Sequence, residues 1–271
     1  MNIDQGLRRL RTTSLAVTVM SLLPLIAALA QLVAGGFSVS AHYDLVAERL
    51  ASARELFPYS AQEPQTVEYQ QSSGAFLAEM AMSAGDPMGW LESPFAIATA
   101  MLLVVALVFL GVAMLWVWRA HANLRDAGIR AKFTPQRALA AYLLPVANLV
   151  VPFEAMRELY NRSHGEPEEL VDSSVDDVTA WWTAVAIGLL IFSVVLVKMT
   201  IDVGSELIIM TPLWMEFVLF AFAVSLLLVA GVLFAGLVRT ITRAQTEYLP
   251  TVDPADHLGE FEERPRVRIV G

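Results

Sequence analysis

The sequence predicts an all-α integral membrane protein. It should have four transmembrane helices, a proline-broken re-entrant or interfacial segment, and a small extracytoplasmic helical cap. Three observations carry that prediction. The 271 residues are 56% hydrophobic and only 17% charged, whereas a soluble domain carries about 25% charge. The apolar residues are gathered into four runs, each near the roughly 20 residues that a spanning helix needs. The basic residues between those runs alternate in density, as the positive-inside rule requires of a four-span chain.

Residues 1–13 hold Arg8, Arg9 and Arg11 and read as a cytoplasmic N-terminus. The first span, 14–36, is longer than the apolar region of a signal peptide, and "ALAQ" at Ala28–Gln31 resembles a cleavage site only weakly. The extracytoplasmic loop, 37–93, has two basic residues, Arg49 and Arg54, against eight acids. Within it, Val46, Leu50, Ala53 and Phe57 recur at helical spacing, so "HYDLVAERLASARELF" reads as an amphipathic helix. Phe76, Leu77 and Met80 suggest a second. The two either form a cap or lie on the lipid surface.

The second span, 94–117, carries no charge. The region 118–180 carries seven basic residues (Arg119, Arg125, Arg130, Lys132, Arg137, Arg157 and Arg162) and reads as cytoplasmic. The third span is 181–199, the outer loop 200–212, and the fourth span 213–238. The tail, 239–271, reads as cytoplasmic and partly disordered, with five arginines, three prolines and mixed charge. Lys198 and Glu216 lie near the outer ends of the third and fourth spans and are expected to pair. Trp116, Trp118, Trp181, Trp182 and Trp214 fall at span ends, where an interfacial belt is expected. Gly188, Gly231 and Gly236 would let helices approach closely.

The segment 137–153 contains "YLLPVANLVVP". It is apolar, too short to span, and interrupted by Pro145 and Pro152, each of which removes a backbone donor. A fifth span would contradict the basic flanks on both sides. The segment is therefore expected to dip into the bundle or lie at the interface. Asn148 would satisfy freed backbone groups or cap a helix, with ligand contact as the sharper alternative.

Several function classes find no support in the residues. The absence of cysteine excludes disulfides, thiolate metal sites and a cysteine nucleophile. His42, His121, His164 and His257 are scattered without metal-ligand spacing, so no metal and no cofactor is expected. The net charge of −9 lies mostly in loops and tail and gives no reason to expect nucleic acid. The span cores hold almost no ionisable residue, unlike those of ion-coupled transporters.

"WVWRAHANLRDAG" at Trp116–Gly128, then "FTPQRALAAYLLPVANLVVPFEAMRELYNRS" at Phe133–Ser163, then a tryptophan-led span and an Arg-x-x-x-x-x-Gln ending at Gln245, together form a pattern. It resembles an uncharacterised family of bacterial four-span membrane proteins, a domain of unknown function. Trp116, Arg119, Asn123, Arg125, Pro145, Asn148, Pro152 and Ser163 stand at the shared positions, and Tyr160 replaces the usual tryptophan. The likeness covers most of 95–247. It implies a bacterial cytoplasmic (inner) membrane and no particular activity.

Within this pattern Arg119, Asn123, Arg125, Asn148 and Arg157 are the candidate ligand-binding residues, and an anionic lipid head group is the candidate ligand, because guanidinium forks suit phosphate. The plainer reading is that these arginines set topology and that Arg157 pairs with Glu154 or Glu158. The first functional reading is a non-enzymatic scaffold, accessory subunit or lipid-associated protein, with membrane lipids, a second copy or a membrane complex as partners. A small-solute transporter using the broken segment, and a membrane enzyme acting on a phosphorylated lipid, are the alternatives.

Overall fold

The computed structural model describes residues 3–56, 94–143, 150–167, 170–204 and 211–252, and every regular element among them is helical. In chain order these are α1 (Ile3–Met20), α2 (Leu22–Leu56), α3 (Pro94–Asp126), α4 (Pro135–Leu143), α5 (Val151–Ser163), α6 (Asp176–Gly204) and α7 (Leu213–Tyr248), with a final 3-10 turn at Leu249–Thr251. Four helical stretches are long and apolar enough to cross a membrane: Ile3–Glu48, Ala96–Asp126, Asp176–Lys198 and Trp214–Thr251.

The helices outlast the apolar runs. α3 continues to Asp126 and α7 to Tyr248, because no proline or glycine stands between the apolar run and those ends. α6 starts at Asp176, before the tryptophans, and opens with two acids that favour a helix N-terminus. The helix expected near 42–57 is present as far as Leu56, but as the unbroken continuation of α2. The second expected helix, at Phe76, Leu77 and Met80, lies outside the described residues, as do Pro145 and Asn148. The single break in the first span, at Ser21, has a local cause. Pro24 cannot donate to the carbonyl four residues earlier, and its ring crowds the same carbonyl.

The chain divides into two compact units: 1–21, 108–183 and 231–271 in one, and 22–107 and 184–230 in the other. The second unit is apolar helix packing. Ile26, Val33, Leu107, Leu190, Val194 and Phe222 are exposed, the pattern of a surface made for lipid. Inside, a Cβ on Gly188 would come 3.1 Å from the Leu227 side chain and 3.3 Å from Leu226 Cβ, so glycine sets that helix approach. Among the described residues Gly231 and Gly236 have no such neighbour within 4 Å, so close approach there does not explain them. Phe192 and Phe220 pack with ring centroids 6.0 Å apart. The expected ion pair is present: Lys198 Nζ lies 2.6 Å from Glu216 Oε1, the side chains 13% and 10% exposed. The Thr211 hydroxyl also donates to that carboxylate.

Removing one partner of an enclosed pair strands the other charge, which costs roughly 3–5 kcal/mol. Lys198→Met is expected to destabilise the full chain by about that amount, and the double change K198M/E216M to recover most of the loss. Unfolding of each variant in lipid nanodiscs checks this.

Candidate functional site

The first unit carries the polar residues of the shared pattern. On α3, Trp116, Ala120 and Asn123 follow a spacing of four and three and form one buried face. On α7, Phe234, Val238, Ile241, Thr242 and Gln245 do the same. The two faces exchange side-chain hydrogen bonds. Trp116 Nε1 donates to Thr242 Oγ1 at 3.1 Å. The Phe234 ring meets Trp116 edge-on at 6.0 Å and Trp181 at 5.7 Å.

One turn further along α7, Gln245 is fully buried. Its Nε2 donates to the Ala120 carbonyl at 3.0 Å and to Ser163 Oγ at 3.0 Å. Its Oε1 accepts from Asn123 Nδ2 at 3.4 Å. Ser163 Oγ in turn donates to the Leu159 carbonyl at 2.6 Å. A single amide therefore ties α3, α5 and α7 together.

The α4–α5 pair is built from its sequence in the same explicit way. Thr134 caps α4, its Oγ1 accepting from the Arg137 amide at 3.3 Å, and Pro135 occupies the first helical position, where its missing N–H costs nothing. This accounts for the threonine-proline step. Phe133, Ala138 and Ala155 pack together with Val151 beside them. Glu158, only 3% exposed, accepts the Lys132 amide at 2.5 Å and the Phe133 amide at 3.0 Å. Burial pushes its carboxyl above the usual range, and the two amide bonds and the Arg162 and Lys132 charges pull partly back.

Asn161 holds the following loop, donating Nδ2 to the Val171 carbonyl at 2.8 Å and the Ser173 carbonyl at 3.1 Å. α3 and α5 end alike. Gly128 (φ 79°) and Gly165 (φ 80°) take left-handed backbone, and the next residue's amide bonds five residues back, Ile129 to Leu124 and Glu166 to Asn161.

The candidate residues separate. Asn123 is in the Gln245 node. Arg119 is half-buried, with Nε enclosed and without a partner among the described residues. Arg125 is exposed and bonds Asp126 through Nε at 3.2 Å and Nη2 at 3.0 Å. Arg157 pairs with Asp172 at 3.0 Å, not with Glu154 or Glu158, and lies over the Phe153 ring. The acids expected for it are otherwise engaged: Glu154 takes Lys132 at 3.3 Å, and Glu158 takes two backbone amides.

Two of the tryptophans also differ from expectation. Trp116 is 0% and Trp181 5% exposed, so both are core residues, while Trp118 and Trp214 remain exposed as a belt requires. His121 is buried and bonds the Val117 carbonyl at 2.9 Å. Among the described residues no group of three His, Asp or Glu side chains is placed to hold a metal ion.

Asn161 and Thr242 carried no distinguishing sequence signal. The helical register of Trp116 against Thr242 emerges only once the two helices are paired.

The sequence profile of a domain of unknown function, DUF4328, matches residues 88–243. The match spans more than half the chain, and the chain belongs to that family. No curated protein and no solved structure matches it.

Gln245→Leu removes three hydrogen bonds and leaves buried polar groups unpaired, for an expected loss of about 2–4 kcal/mol in full-chain unfolding. Asn123→Ala should cost less, about 1 kcal/mol, and add little once Gln245 is gone, because the two act as one unit.

The raised carboxyl of Glu158 gives a second prediction. The folded state holds that proton to higher pH than the unfolded state, so the native state binds more protons between the two values. Stability therefore falls as pH rises from about 4.5 through the folded value. Glu158→Gln should lose that slope, and unfolding measured across this range reads it directly.

Proposed function

We propose that this member of the family is a non-enzymatic membrane scaffold or accessory subunit, set in a bacterial cytoplasmic membrane with both termini inside. The observation that carries the reading is the use made of the shared polar residues. Gln245 bonds Asn123, Ser163 and the Ala120 carbonyl. Arg125 and Arg157 pair with Asp126 and Asp172. The hydrogen bonds of Asn123, Ser163 and Gln245 hold α3, α5 and α7 in register, and a rigid end on a membrane bundle is what a docking subunit requires. The partner would be another membrane protein or a second copy.

In this reading the segment from 144 to 149 is a structural wedge between α4 and α5. Pro152, in the first turn of α5, supports a sharp re-entry into helix. Asn148 then satisfies backbone rather than ligand. The start of the outer loop, helical as far as Leu56, would belong to a small outer cap.

Thiol accessibility tests the proposal against transport, and the chain's lack of cysteine makes it clean. Single cysteines are placed at Val146, Asn148 and Val150, with controls at the exposed Gln136 and His164. A membrane-impermeant thiol reagent is applied from each side. The expected result is protection of all three positions with both controls labelled from the cytoplasmic side. Labelling of Asn148 from that side, with its neighbours protected, would mean an aqueous pathway and overturn the scaffold in favour of a transporter.

A further inference from the structure

Three arginines stand around one groove of the first unit, and of these Arg239 opens the Arg-x-x-x-x-x-Gln step of the shared pattern. The groove is open, lined by Ser14 and the exposed Arg11 of α1 and by the exposed Arg239 and Arg243, with Thr242, Thr246 and Glu247, of α7, and its volume is about 410 Å³. That is within the roughly 300–1,000 Å³ of small-ligand sites. The α7 residues recur at 239, 242, 243 and 246, one helix face. Arg11 stands three residues before Ser14, where the first apolar run begins, and Arg239 directly follows Val238, where the last one ends. The groove therefore lies at the basic end of two spans, at head-group level in a bilayer.

The arginines are held in a common way. Each is tethered through Nε: Arg11 to Thr246 Oγ1 at 3.4 Å, Arg239 to the Ala235 carbonyl at 3.3 Å, and Arg243 to Glu247 Oε1 at 2.8 Å. Among the described residues the Nη groups of all three make no hydrogen bond, and neither Arg11 nor Arg239 is ion-paired. Ser14, which also lines the groove, is buried.

The lining thus holds three guanidinium groups and one carboxylate, Glu247, which Arg243 already engages. Arginines used only for topology need not gather around one groove. Arg125 and Arg157, by contrast, hold carboxylates with their Nη groups. A tetrahedral oxyanion with several acceptor oxygens suits several guanidinium forks lining one groove better than a single carboxylate does.

We propose that Arg11, Arg239 and Arg243, with Ser14 at the floor, bind the phosphate of an anionic ligand, supplied by a lipid head group or by free phosphate. The proposal rests on the membrane placement above but not on the scaffold role, so an aqueous pathway at Asn148 would leave it standing.

The test uses the full chain in zwitterionic detergent micelles. Phosphatidylglycerol is titrated and the bound fraction read by native mass spectrometry, with phosphatidylcholine as the neutral-headgroup comparison. A parallel arm adds inorganic phosphate and reads the thermal unfolding shift. Wild type is expected to retain phosphatidylglycerol over phosphatidylcholine. Arg239→Gln should weaken that binding several-fold, and R11Q/R239Q about ten-fold or more.

Arg137→Gln, an equal charge change at an exposed position of α4 outside the groove, should leave binding unchanged. Arg239 bonds only its own helix among the described residues, so R239Q is the variant read if the double change does not fold. A phosphate shift in wild type that R239Q abolishes identifies free phosphate as sufficient, and preference for the lipid with no such shift identifies the head group. Equal binding by wild type, R239Q and R137Q, or no preference over phosphatidylcholine, would overturn the site.

Discussion

One fully buried amide, that of Gln245, sets the geometry of the shared core. An amide side chain has two donor hydrogens and an accepting oxygen, and here each is used on a different partner. The Ala120 carbonyl and the Asn123 amide belong to α3, and Ser163 ends α5. Leucine would fill the same space but would fix nothing, since apolar contact is indifferent to small slides along a helix axis. The amide is not indifferent: a shift of one residue would strand several buried polar atoms at once. This is why α3 and α7 must continue as helix past their apolar runs. The node lies beyond the lipid-compatible stretch of both, and it requires intact helix on each side.

The connections around that node follow from the same demand, that buried backbone groups find partners. Lys132 and Phe133 approach α4 with two consecutive amides that no helix satisfies, and Glu158 accepts both. The carbonyls of Val171 and Ser173 face Asn161. Gly128 and Gly165 turn the chain out of α3 and α5 through left-handed backbone that a Cβ would strain. At Gly165 the tolerance is lower still, because a Cβ would lie 2.9 Å from the Tyr248 ring. Side chains of α5 therefore organise the loops on both sides of it, from α3 into α4 and from α5 into α6.

The four apolar helices were legible because hydropathy and Lys/Arg density act along the chain, and length alone decides whether a run can span. The Lys198–Glu216 pair was legible for the same reason, since a charge near a span end has few places to go. What the sequence hid depends on helix pairing. Trp116 and Trp181 sit at span ends like the exposed Trp118 and Trp214, but they face inward and pack on Phe234. Composition does not encode that direction. For Arg157 the sequence points to a local ion pair but to the wrong acid. The nearer candidates in sequence, Glu154 and Glu158, are taken by Lys132 and by backbone. Gln245 was visible only as the end of a pattern, and its role emerges from three helices at once.

The arginines of the first unit divide by what their Nη groups meet, and that division bears on function. Where a carboxylate is adjacent, as Asp126 is to Arg125 and Asp172 to Arg157, the charge is neutralised locally and the side chain stabilises a loop. Along the α1–α7 groove the Nε atoms are satisfied by a hydroxyl, a helical carbonyl and one glutamate, while the Nη groups make no hydrogen bond among the described residues. Holding like charges together in this way is unfavourable unless an anion completes the arrangement or solvent screens it. The anionic surface of a bilayer lies within reach of residues that directly flank apolar runs. A rigid amide-locked core beside a groove that accepts phosphate would fix the unit both to its own helices and to the lipid around it. That combination suits a subunit that must present one face at a constant depth.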